Sequence, residues 1–349
     1  MRQATPRLAS WVALLRFGTT ARGVLPFLLG AVIALSQGYS IDGVVLVLSA
    51  LAVFCIMEVT FLINEYFDLE TDTLNRTFHK LSGGSRIFPL GLVSPPRAII
   101  TAFILAATCG IIGLLLQFYF HTGPFTLLLG IAGLALGFFY TAKPVQLSYK
   151  GVGEVTILFT CGFLATITGY YLQVGHFDTV ALLASIPGGI SIFLVILANE
   201  LPDELSDRAS GKKTLVVRLG REGAARLYAF FLLLCYATII VITFFDVPEQ
   251  SCYLSLPLIP LILWNILGLR KRNALRDNQM LEGLSLRTML IDHLITIIYT
   301  VSFMWAGWTF LSTGELWGMI AAYAVVFGME IGGIITSAYV FKSQGKAVL

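Results

Sequence analysis

Charge is what this chain has least of. Of its 349 residues, 12% are Asp, Glu, Lys or Arg and 57% are hydrophobic, against roughly 25% charged in an ordinary soluble domain. So few polar side chains could not coat a globule of this size, which excludes a soluble fold and makes a bilayer the solvent. Cysteine chemistry is missing too. Cys55, Cys109, Cys161, Cys235 and Cys252 are far apart with no C-x-x-C spacing, so they read as small buried residues, not as a disulfide or metal framework. His79, His121, His176 and His293 are equally dispersed and make no ligand cluster. No Pro/Ser-rich linker or low-complexity run divides the chain, which implies one domain over residues 1–349. No small-residue cleavage site follows the first apolar run, and Arg16 and Arg22 interrupt it. That segment reads as an interfacial helix leading into the first span, not as a removed signal. The net charge of +3 is what loop orientation needs and points to no nucleic-acid partner.

Apolar windows long enough to cross about 30 Å of hydrocarbon as helix occur near 22–38, 42–64, 95–117, 123–142, 151–173, 179–199, 223–246, 252–269, 289–311 and 316–341. The expected fold is therefore an all-α polytopic bundle of nine to ten transmembrane helices. Every Lys and Arg falls before or at the start of the first span, or in or just inside the ends of alternate connections, while those around 39–41, 118–122, 174–178, 247–251 and 312–315 contain none. The positive-inside rule then makes the basic loops and both termini cytoplasmic. The inner loops are also the long ones, so chemistry is expected on that face of an integral membrane protein, with a bacterial inner (plasma) membrane as the expected location.

One inner loop opens with "FLINEYFDLETDTLNR", which puts Asn64, Asp68 and Asp72 four residues apart at the end of the second span. On a helix that spacing stacks the three on one slowly drifting face. A counterpart exists: "ANELPDELSDRASGKKTL" places Asn199, Asp203 and Asp207 at the same spacing at the end of the sixth span. Two N-x-x-x-D-x-x-x-D ladders ending spans that run the same way suggest a pseudo-repeat. Four aspartates at one membrane surface repel each other and need cations between them. Mg²⁺ suits them, since it takes carboxylates, keeps waters and is completed by phosphate oxygens. Basic residues that could meet a bound diphosphate follow both ladders: Arg208, Lys212 and Lys213 after the second, and Arg76, Lys80 and Arg86 after the first. A third inner stretch, "FFYTAKPVQLSYKGVGEV", adds Lys143 with Tyr140 or Tyr149 as phosphate contacts, or else forms an interfacial aromatic belt with an anchoring lysine.

"NEYFDLETDTLNR", "DELSDRASGKKTL" and "YTAKPVQLSYKGVGE" together resemble the UbiA superfamily of intramembrane prenyltransferases, most strongly over residues 22–220. The resemblance implies Mg²⁺ at Asp68, Asp72, Asp203 and Asp207 with Asn64. It implies diphosphate contacts from Asn64, Asn199, Arg22, Arg86, Lys143, Tyr140, Arg208 and Lys212. The "SGGSR" of Ser82 to Arg86 is similar to the dihydroxynaphthoate, menaquinone-pathway subgroup, and Gly83 and Gly84 would let backbone amides approach an anion. Residues 312–349 form a possible extra span without a family role. The implied activity is Mg²⁺-dependent transfer of a polyprenyl group from prenyl diphosphate to 1,4-dihydroxy-2-naphthoate or a related quinone precursor, with membrane lipid as surroundings. Other acceptors (4-hydroxybenzoate, a lipid, a chlorin) or terpene cyclisation are alternatives, and oligomeric state is not legible. A different class, an ion-coupled transporter, would use Glu58, Glu154, Asp292 and Glu330 in or near the spans, but leaves the paired ladders unexplained.

Overall fold

The computed structural model describes residues 7–74, 84–271 and 273–343. Arg76, Lys80, Ser82 and Gly83, given loop roles beside the first ladder by the sequence, lie outside them. The described residues form helices and connections without a strand, because a helix satisfies every backbone donor and acceptor inside lipid without a partner segment.

The order is α1 (Arg7–Leu14), α2 (Phe17–Ser36), α3 (Gly43–Phe67), α4 (Leu69–Leu74), α5 (Pro95–Leu114), α6 (Thr126–Phe138), α7 (Gly153–Ile157), α8 (Ala165–Val174), α9 (Thr179–Ala209), α10 (Leu215–Val241), α11 (Gln250–Leu254), α12 (Leu258–Leu269), α13 (Asn278–Ala306) and α14 (Thr313–Ser343). A π-helical turn, Leu115–Tyr119, prolongs α5, and another, Leu158–Leu164, joins α7 to α8 into one rod. Eight rods are long and apolar enough to cross a membrane, and α6 and α12 are shorter apolar helices. Together they fall on the ten sequence windows. Helix starts follow local chemistry: Asp42 accepts from the Val44 and Val45 amides at 2.8 and 3.1 Å, Asp178 from Ala181 at 3.0 Å, and Asp277 from Gln279 at 2.9 Å. Each cap satisfies amides that have no partner within the helix.

Two departures from the sequence reading matter for the site. Helix α9 runs on to Ala209, past the window end at 199, because a hydropathy window senses hydrocarbon while the backbone stays helical after leaving it. Helix α3 instead stops at Phe67, with Asp68 as its C-cap at φ −90° and ψ 1°. The first ladder therefore does not ride one continuous helix.

Helices α2 and α9 are the most deeply buried rods. Gly30 of α2 and Gly169 of α8 face each other so closely that a Cβ on Gly30 would meet the Thr166 carbonyl, and one on Gly169 the Phe27 carbonyl. Small residues are what let helices pack without a hydrophobic driving force between them. Ile104, Phe118, Leu128, Phe244, Trp264 and Ile335 point outward, as lipid-facing residues do. Helix α14 lies against α1 and α2 and is tied to α13 by a Thr300–Tyr323 hydroxyl contact at 2.6 Å. Gly169→Val should therefore destabilise the bundle by about 1–3 kcal/mol or more, the range for overpacking. Thermal unfolding of the detergent-solubilised protein reads this loss, and an unchanged midpoint would contradict the close approach of α2 and α8.

Candidate active site

The two ladders meet. Asp68, Asp72, Asp203 and Asp207 line one polar cavity of about 150 Å³ together with Glu65, Glu200, Arg16 and Lys212. In the first ladder the four-residue step survives the break in the helix, because the Asp68 amide donates to the Asn64 carbonyl and the Asp72 amide to the Asp68 carbonyl, both at 2.8 Å. In the second, Asn199, Glu200, Asp203 and Asp207 ride α9 without interruption.

The connection after α9 clips the arms together. The Lys212 amide donates to the Asp207 carbonyl at 2.9 Å, while its ammonium lies 3.0 Å from Asp68 Oδ2. The Tyr149 hydroxyl donates to Asp68 Oδ1 at 2.7 Å, and the Lys212 ammonium sits 5.0 Å from the centre of the Tyr149 ring. Burial opposes the Lys212 charge, yet Asp68 and then Asp207 hold its pKa above the usual lysine range. Burial, then Asp68, pushes the Tyr149 phenol up to about 12.

The segment 84–88 folds back over the first ladder. Ser85 donates to both oxygens of Glu65, from its amide and its hydroxyl, at 2.7 Å each. Arg16 pairs with the same carboxylate at 3.0 Å. The Arg86 guanidinium donates to the Asp72 carbonyl, and burial lowers its pKa against the pull of Asp72 and Glu65. Gly84 has a φ of +73° and leaves no room for a Cβ beside the Asp72 carboxylate. Burial, then Glu65 and Asp68, pushes the Asp72 carboxyl up to about 7. With six carboxylates and only Arg16 and Lys212 as cations in its lining, the site is short of positive charge.

A second cavity, of about 390 Å³ and mostly apolar, runs from this acidic mouth into the bundle. Arg16, Asn64, Gly84, Tyr140, Glu200 and Asp203 line both cavities and form their junction. Asn64 is oriented by Thr141, whose hydroxyl donates to its Oδ1 at 2.7 Å. Asn199 lines the apolar cavity with a buried Oδ1 that has no protein donor. Arg22 lines it too, deeper than the ladders, while Lys143 and Arg208 are exposed and line neither cavity. Arg208 instead pairs with Glu204 at 2.7 Å.

Sequence reasoning missed Arg16, Glu65 and Glu200. A signal for the glutamates was present: both ladders read N-E-x-x-D, and Glu65 and Glu200 follow Asn64 and Asn199 directly. Arg16 gave none, because its role depends on the left-handed turn (φ 53°) that it makes ahead of α2.

Among the described residues, no three His, Cys, Asp or Glu side chains close on a single point as a ready-made metal cage. The donor set nonetheless suits Mg²⁺, which takes one or two carboxylates, keeps waters and leaves positions for phosphate oxygens. The crowded Asp72 and the open Asn199 oxygen are what such an ion would relieve.

Comparison with known proteins gives the architecture its family. The sequence pattern of the UbiA prenyltransferase family matches residues 24–291. The chain belongs to the UbiA prenyltransferase family. It is an integral membrane prenyltransferase. It is 27% identical over 223 residues to the 1,4-dihydroxy-2-naphthoate octaprenyltransferase of Bacillus subtilis, covering 64% of this chain and 70% of that one. Its fold is similar to the solved digeranylgeranylglyceryl phosphate synthase, with a TM-score of 0.60 at 17% identity over 85% of this chain and 99% of that one. It is also similar to a UbiA homologue from Archaeoglobus fulgidus bound to GPP and Mg²⁺, with a TM-score of 0.55 at 16% identity over 83% and 99%.

Gly84→Ala tests the local geometry. The substitution forces a left-handed backbone worth about 1–2 kcal/mol and drives a methyl into Asp72, so prenyl transfer should fall while the bundle keeps its helical circular dichroism. Activity equal to wild type would show that segment 84–88 does not set Asp72.

Proposed function

We propose that this enzyme transfers a polyprenyl group from prenyl diphosphate to a ring carbon of a 1,4-dihydroxy-2-naphthoate-type quinone precursor, at a site facing the cytoplasm. The observation that carries the reading is the junction of the two cavities: an acidic, cation-hungry mouth opening directly onto an apolar shaft. An allylic prenyl diphosphate has the same two halves. The acceptor class follows the Bacillus subtilis relative and the "SGGSR" stretch, and the inward-facing orientation follows the basic loops, which include the one that carries Lys212.

Mg²⁺, when held by Asp68, Asp72, Asp203 and Asp207, would neutralise the diphosphate and so favour departure of the allylic group. The chain's own residues do the remaining work. Lys212 carries a positive charge at the mouth, 3.0 Å from Asp68, and can turn to the leaving oxygens once the carboxylate has another partner. Tyr149 and Thr141 fix Asp68 and Asn64 through their hydroxyls, so the ladder needs little reorganisation as charge develops. Tyr140 stands at the junction, where its ring can shelter positive charge on the allylic carbon. If the prenyl group enters at a ring C–H, the ring proton needs a base; if it enters at the carbon bearing the naphthoate's carboxylate, that group leaves as CO2 and its bonding electrons restore the ring, so no base is required. Glu200 and Asp203 are the carboxyls at the junction and so the candidate acceptors for that proton.

Membranes containing the protein, supplied with radiolabelled prenyl diphosphates and either 1,4-dihydroxy-2-naphthoate or 4-hydroxybenzoate, should yield prenylated naphthoate only with Mg²⁺. Asp68→Ala and Asp203→Ala should each cut this transfer by about 100-fold or more while the protein elutes as a folded species. An active Asp68→Ala enzyme would sink the metal assignment. Transfer to 4-hydroxybenzoate alone would sink the acceptor.

A further inference from the structure

Three charged side chains deep in the bundle take no part in the chemistry above: Asp292 and His293 of α13 and Glu330 of α14. They gather behind Arg22 of α2. Arg22 occupies the partition between the apolar cavity and a small second one of about 10 Å³, whose polar lining is Arg22, Asp292, His293 and Thr296. That space holds about one water. Nε and Nη2 of Arg22 are buried without a hydrogen-bond partner, and the carboxylates whose charge acts on it most are Asp292 and then Glu330.

The two carboxylates are not equivalent. Asp292 is held by the Ser191 hydroxyl, which donates to its Oδ1 at 2.5 Å. Glu330 is engaged by His293, whose Nε2 lies 2.9 Å from Oε1 and 3.1 Å from Oε2. The other ring nitrogen, Nδ1, lies 2.7 Å from the Met289 carbonyl oxygen. A carbonyl only accepts, so Nδ1 carries a proton and one further proton is shared between Nε2 and Glu330. Wherever that proton sits, the His293–Glu330 pair is neutral overall, which leaves Asp292 to balance Arg22. Without the Glu330 charge to balance it, a His293 that keeps its proton draws on Asp292, on which both His293 and Arg22 act through charge, and competes with Arg22 for it.

We infer that Asp292, kept available by the His293–Glu330 pair, is a positioning group that acts on the Arg22 guanidinium through its charge across this small space and so sets it at the wall of the substrate cavity. Helix α14, through Glu330, is thereby part of the catalytic unit. This rests on the reading of the apolar cavity as the prenyl diphosphate site, and it gives the tenth span a function that its apolar sequence does not announce.

The test is a mutant cycle on the purified full chain, with geranyl diphosphate, Mg²⁺ and 1,4-dihydroxy-2-naphthoate. Arg22→Ala, Asp292→Asn and Glu330→Gln should each raise KM for geranyl diphosphate about 10-fold, within the range of coupled buried groups, with a smaller change in kcat. Glu330→Asp should restore most of the loss. In the Arg22→Ala background, Glu330→Gln and Asp292→Asn should add nothing further. Additive losses, or a KM unmoved by both carboxylate variants while Arg22→Ala raises it, would overturn the inference. An Arg22→Ala enzyme with wild-type kinetics would overturn the inference and leave the donor-site reading to the Asp68→Ala and Asp203→Ala variants. Should Glu330→Gln fail to fold, Asp292→Asn alone completes the cycle.

Discussion

Repulsion among carboxylates held at the mouth of an apolar bundle is the constraint on which the local structure depends. Six of them, Glu65, Asp68, Asp72, Glu200, Asp203 and Asp207, line one cavity of about 150 Å³, where partial burial screens them less than an open surface would. Three of the described segments near the mouth answer that problem. The chain entering α2 brings Arg16 to Glu65, segment 84–88 brings Ser85 and Arg86 over the first ladder, and the turn after α9 swings Lys212 across to Asp68. These contacts moderate the repulsion without cancelling it, since only Arg16 and Lys212 stand with the six carboxylates in the cavity lining. A site fully neutralised by its own residues would have no use for a metal, and one with none of these contacts would not hold its shape before the metal arrived.

The two arms of the clamp are built differently although their sequences match. Helix α9 carries its ladder straight through Pro202 to Ala209. Helix α3 ends at Phe67 and hands Asp72 to the short α4. The break tucks Asp72 beneath Gly84 and Arg86, while Asp207 keeps its place on the rod. Lys212 joins the arms because its backbone is bonded to one and its side chain to the other. A change of protonation or ligation on either arm is therefore felt on both, the coupling expected of groups that share a partner.

Much of this was legible from residue order. Hydropathy located the ten rods because lipid imposes a length and a composition on each. The four-residue step located the aspartates because it is a helical repeat, and it held even where α3 breaks, since the amide of each aspartate still donates four residues back. Side-chain direction was not legible. Lys143 and Arg208 lie close in sequence to residues of the site and yet face solvent, and nothing in their neighbours encodes that. Arg16 and Arg22 are six residues apart at the start of the same rod, and the sequence reading chose Arg22 for the anion. Their separation along the helix axis, about 9 Å at 1.5 Å per residue, puts Arg16 at the mouth and Arg22 well inside.

The depth of the apolar cavity bears on where the donor's tail is kept. Ser49 and Asn64, fifteen residues apart on α3, both line it, so it extends for about 22 Å along that helix, out of some 30 Å of hydrocarbon. A prenyl chain lying in it would run parallel to the rods with its diphosphate at the membrane surface, the only depth at which six carboxylates and their cations can reach water. The allylic carbon then falls at the junction beside Tyr140, Glu200 and Asp203, where the polar mouth ends and the apolar shaft begins. Water that reached this carbon would capture it before the acceptor could. Placing the reacting atom at the boundary, with the tail filling the shaft below and the diphosphate closing the mouth above, lets the substrate itself exclude water from the step.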